Sequence, residues 1–185
     1  MTQKKASLRA MPQRKLFIQP SDSTSSKLHH RSILQLLLAQ DGSATRLCEC
    51  AAGGPIVVDV QQQRVVSKVP NAVEKALPGE SFIERFSSLS ASGEVLMDNL
   101  VYIALKGLPA VIQQELEALN RPIGHTLARM WVRRECLQPD SAILERLWDA
   151  FGMPDVEATR MHRLVTPDGP RMLLAECFRR GMLMS

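Results

Sequence analysis

Two ionisable residues interrupt apolar runs of this sequence where a charge is out of place. In RMLLAECFRR (171–180), strand alternation puts Glu176 on one face with Met172, Leu174 and Phe178. In FIERFSSL (82–89) it puts Arg85 on a face with Ile83, Ser87 and Leu89. An isolated charge on such a surface is expensive unless it is paired or neutralised. Two arrangements answer that cost. One is an internal Arg–Glu ion pair, in which desolvation offsets most of the Coulomb gain. The other is a closed pocket where Arg85 grips a substrate carboxylate and Glu176, desolvated, moves a proton. The pattern leaves both open. Arg64 and Arg163 also fall on strands, and alternation does not say which arginine faces a pocket.

The elements that must position this pair are legible as runs and punctuation. SFIERFSSLS (81–90) and EVLMDNLVYIAL (94–105) flank Ala-Ser-Gly and predict an antiparallel hairpin. ATRMHRLVT and RMLLAECFRR flank Pro-Asp-Gly-Pro and predict a second. Helical spacing marks 30–40, 108–120 and 141–152, the last with Ser141 as N-cap and Gly152 as stop. Shorter helices are expected after Ser43 and after Pro122, and 55–69 and 130–138 read as strands. Residues 70–79 read as a loop with a helical turn at most, and Asp98-Asn99 as a bulge or solvent-facing pair. Hairpins with helices grouped between them imply an α+β fold: one antiparallel sheet with helices packed on it.

The formal charge of +4 is concentrated at the start, where residues 1–31 hold seven basic side chains against Asp22 alone. Residues 1–29 are therefore expected to be a basic, flexible extension, with SDSTSS (21–26) as linker and 30–185 as the domain. Only eight residues are aromatic, too few for a base-stacking platform, so nucleic acid is not the expected partner. The four cysteines show no paired zinc spacing, and no metal site is expected. No apolar run reaches the roughly 20 residues of a membrane span. Without a secretory signal, the thiols are expected to be reduced and the protein cytoplasmic, a monomer or small homo-oligomer.

Several stretches, in order, resemble the chorismate lyases. TPDGPRMLLAECFRRGML is similar to that family's final hairpin, with Glu176 where its catalytic glutamate stands. Arg85 stands eight residues before Gly93-Glu94, as the family's substrate-binding arginine stands before its Gly-Glu turn. LEALNRPIGHTL and SILQLLLAQDGSATRL resemble its Pro-apolar-Gly segment and its opening helix. The resemblance covers about residues 30–185 and implies elimination of pyruvate from chorismate to give 4-hydroxybenzoate, a cofactor-free step feeding ubiquinone and other aromatic biosynthesis. It further implies that Arg85 holds the ring carboxylate, Glu176 is the general acid, and Ile123 and Ala44 contact the ligand. Departures from the family pattern are Ala44, where a larger apolar residue is usual, and Leu100-Val101 and Ala104 on the second hairpin strand. Two alternatives share the fold: an enzyme making a different hydroxybenzoate, and the non-catalytic effector-binding domain of bacterial transcription regulators.

Overall fold

The computed structural model describes residues 11–117, 122–128 and 131–183. Six strands form one fully antiparallel sheet: β1 (Val57–Val66), β2 (Phe82–Ala91), β3 (Glu94–Ala104), β4 (Arg133–Leu137), β5 (Thr159–Thr166) and β6 (Gly169–Phe178). Their order across the sheet is β1-β2-β3-β6-β5-β4, so the two expected hairpins meet along β3 and β6 at its centre. The β2–β3 turn closes because Ser92 and Gly93 both take positive φ, 50° and 81°, the pattern of a tight hairpin turn.

Helices cover both faces. α3 (Asn71–Ala76) and α6 (Ser141–Phe151) bury Val73, Ile143, Leu147 and Phe151 against Phe82, Phe86, Leu100 and Leu173. The opposite face carries α1 (Thr24–Ala39), α2 (Ala44–Ala52), α4 (Ala110–Glu117) and α5 (Ile123–Leu127). There Leu34, Leu37 and Cys48 pack on Leu89, Met97 and Phe178, and Ile112, Leu116 and Leu127 on Val101, Met172 and Leu174. The alternation of β2, β3 and β6 is therefore two-sided, which is why these strands read as nearly continuous apolar runs. Among the described residues, no helix is long and apolar enough to cross a membrane.

Several expectations are corrected. From residue 11 on, the basic segment is not a loose extension. Gln13 pairs with Glu94 beside the β2–β3 turn, and Phe17 is fully buried. The supposed linker supplies Ser23, whose side chain caps α1 at Ser26 N, so that helix begins at Thr24. Packing thus begins well before residue 30. Asp140, not Ser141, caps α6, accepting from Ile143 N. Residues 71–76 form a helix because Val73 is drawn into the α6-side core. The end of the helix expected over 108–120 lies outside the described residues. Asp98 and Asn99 are neither bulged nor solvent-facing: both are buried, in unbroken register with Ser88 and Ser87.

Candidate functional site

The face of the sheet under α2 and α5 carries Ser87 on β2, Asn99 on β3 and Glu176 on β6 in one row, each opposite the next. Above them a small cavity of about 30 Å³ is enclosed by the start of α2 and by α5. Ala44, Thr45, Ile123, Gly124 and Leu127 form the roof, and Leu174 and Val101 the floor beside the polar row. Gly124 lets the two helices touch: a Cβ there would stand 2.2 Å from Thr45 Oγ1. On the outer side, His125 and Glu49 lie 2.7 Å apart and tie α5 to α2.

Three of the four residues singled out from sequence line this cavity, namely Ala44, Ile123 and Glu176. Arg85 shares their face of the sheet, but it lies two positions along β2 from Ser87, outside the cavity wall. It is buried, and its Nη1 donates to Gln63 Oε1 at 3.3 Å. Burial pushes its pKa down to about 10, which leaves it charged at neutral pH.

The partner of Glu176 is Arg160, directly opposite on β5. Arg160 Nε donates to Glu176 Oε2 at 2.8 Å, and both side chains are buried. Its Nη1 donates to the carbonyls of Leu37 and Gln40 at the end of α1, and its guanidinium lies 5.0 Å over the Phe178 ring. The internal Arg–Glu pair conceived from sequence thus exists, with Arg160 in the place given to Arg85. Arg134 lies in WVRRE (131–135), a run whose sequence weighs more towards an exposed strand than towards an anion site. This β4 side chain lines both the inner cavity and a larger outer groove of about 450 Å³ between α2 and α5, and so stands at the passage between them. Burial lowers its pKa, with Glu176 acting in the opposite sense, and its hydrogen bond is a long one, 3.4 Å, to the Asp41 carbonyl. Asn99 Oδ1 is buried in the cavity wall with no hydrogen-bond partner among the described residues. Burial, and next the neighbouring Arg160, lower the pKa of His162 below the ordinary imidazole value.

Chemically, among the described residues, the cavity offers one guanidinium without a carboxylate partner (Arg134), hydroxyls from Ser43, Thr45 and Ser87, and the N-terminus of α2. These groups favour negative charge. Glu176, in contrast, is already bound to a cation.

No protein-family model matches the chain, and no curated protein does. Solved structures resemble it at low identity. The effector domain of PhnF from Mycobacterium smegmatis is 12% identical, over 75% of this chain and 88% of that one, with a TM-score of 0.47. The C-terminal domain of the histidine utilization repressor from Pseudomonas syringae is 8% identical, over 67% and 91%, with a TM-score of 0.45. The possible transcriptional regulator YydK from Bacillus subtilis is 12% identical with a TM-score of 0.43, and this chain, matched over 69% of its own length, spans 58% of that protein. These likenesses concern fold alone.

The expectation of a lyase is corrected here. The three solved structures named above are a possible regulator, a repressor domain and an effector domain, and none of the three is a chorismate lyase. The carboxylate assigned to general acid catalysis is engaged by Arg160, and the arginine assigned to the substrate stands outside the cavity.

Proposed function

We propose that this chain is a non-catalytic small-molecule effector-binding domain, and that its effector is a small anion held under α2 and α5. The observation that carries the reading is Arg134, a half-buried guanidinium at the mouth of a small cavity with no carboxylate partner among the described residues. In this reading Arg134 binds the negative charge and Asn99 Oδ1 accepts a hydrogen bond from the ligand. Ala44 and Ile123 supply apolar contact, and Glu176 fixes the wall through Arg160. Arg85 is given no ligand contact. A cavity of about 30 Å³ has room for about one water, so the ligand must part α2 from α5 as it enters. Binding would then be coupled to movement of those helices, which is what an effector domain requires.

The test is a thermal-shift and calorimetric titration with benzoate, lactate and inorganic phosphate, each beside a neutral or cationic counterpart. At least one anion is expected to raise Tm saturably, to bind Arg134→Ala at least tenfold more weakly, and to be recovered unchanged after long incubation. Each lost charge-assisted contact is worth about 1.5–3 kcal/mol, consistent with that factor. Equal binding of neutral counterparts, or chemical conversion of the bound anion, would sink the proposal.

A further inference from the structure

A second cavity, of about 240 Å³, lies on the same side of the sheet but at its other end, where the β3–α4 turn meets the β5–β6 turn. Its wall is apolar: Leu108 and Pro109 from the first turn, Leu164 and Met172 from the sheet, and Val132 and Trp131 ahead of β4. Leu127 separates it from the inner cavity and touches both. Trp131 is 65% exposed and borders this cavity.

One guanidinium converges on this apolar space. The Arg171 guanidinium donates to the carbonyls of Lys106 at 3.2 Å and Asp168 at 3.3 Å, so backbone acceptors hold it at the rim. It lies against Gly107, where a Cβ would come within 3.0 Å of Nη2; that residue also has a φ of 73° and so suits glycine on two counts. Among the described residues no carboxylate lies within ion-pair distance of Arg171, and a guanidinium has five N–H donors, so the fork keeps capacity for an anion. Asp168 on the same rim opposes a second negative charge.

A concave apolar wall with one oriented cation is the usual make-up of a small-ligand site. We propose that this cavity is a second binding site, distinct from the one under α2 and α5, for a small aromatic monocarboxylate. The ring lies against Trp131, Leu108 and Met172, and the carboxylate meets Arg171.

The chain contains two tryptophans, and Trp148 sits on α6 on the opposite face, so Trp131 emission reports on this cavity. 3-Phenylpropanoate, 3-phenylpropan-1-ol and 3-phenylpropylamine are titrated into the full chain. The acid is expected to change emission saturably, at least tenfold more tightly than the alcohol or amine. That change should be absent in Trp131→Phe. Arg171→Ala and Arg171→Gln should each bind the acid at least tenfold more weakly, with unchanged Tm and Trp148 emission, while Arg134→Ala binds it as the wild type does. Equal binding of acid and alcohol, a signal persisting in Trp131→Phe, unaltered affinity in both Arg171 variants, or loss in Arg134→Ala would each overturn the proposal.

Discussion

Glu176 and Arg160 face each other across β6 and β5 with side chains only 7% and 4% exposed. Both have left water, so their attraction mostly offsets desolvation, and the pair fixes register more than it adds stability. Removing one partner strands the other. Glu176→Leu and Arg160→Met are each expected to destabilise the fold by about 3–5 kcal/mol, and the two together by less than either alone. Denaturant unfolding checks this, and simple additivity of the two losses would show that the pair is not coupled. His162 lies on the same face. Its proton equilibrium is set by burial, then by Arg160, with Arg134 acting in the same direction and Glu176 and Asp41 against it. Because its folded pKa is below the ordinary 6.5, the unfolded chain takes up the proton first as pH falls. Its contribution is therefore complete above about 6.5 and declines below that value. The prediction is a drop in stability from pH 7 towards 5.5 that is shallower in His162→Gln, read from urea midpoints across that range.

Among the elements, hairpins, helix order and the inward faces of β2 and β6 could be read from alternation and turn residues, whereas Ile123 and Ala44 were placed beside Glu176 only by the family resemblance. The arginine opposite Glu176 could not be read from either. Pairing at the β5–β6 turn starts with Thr166 opposite Gly169, and simple counting from there sets Thr159 against Glu176. A bulge between Leu164 and Val165 shifts the register by one residue and brings in Arg160 instead. One such slip transfers every side chain to the other face, and no residue type in ATRMHRLVT announces it. Arg134 was discounted for another reason, since β4 is a short edge strand whose exposure gives no clean alternation. The roof elements yield their own prediction. Gly124→Ala places a methyl group 2.7 Å from Thr45 Cβ, where rotation about the Thr45 side chain gives no relief, so α5 and α2 must move apart. Such overpacking costs about 1–3 kcal/mol. The expected outcome is a lowered Tm together with faster association of the anion that binds the inner cavity. A variant with wild-type Tm and wild-type association would show that the roof does not control entry.

At the scale of the whole molecule, the segment before α1 is a strap that joins the two halves of the chain. Arg14 donates to both Asp98 oxygens and to Ser88, and Arg179, fully buried, donates to Asp98 at 2.6 Å from the end of β6. Lys15 Nζ lies 2.7 Å from Glu94, Phe17 N donates to Asp155, and Arg180 meets Asp22. Basic residues of the segment expected to be a loose extension are thus partly spent on the chain's own carboxylates. Phe17 is the anchor, at 0% exposure beside Leu34, Met97 and Phe178. Truncating a buried Phe to Ala costs about 3–5 kcal/mol. In a chain of this size 1 kcal/mol moves Tm by about 2–4 °C, so Phe17→Ala should melt about 6–20 °C below the wild type. A substitution in a loose extension would leave Tm where it is. Arg14→Ala extends the test, because it leaves Asp98 with Arg179 and Ser88 as partners. Its loss should be smaller than that of Phe17→Ala, and the reverse order in thermal melts would mean that the Asp98 cluster, rather than apolar burial, holds the strap.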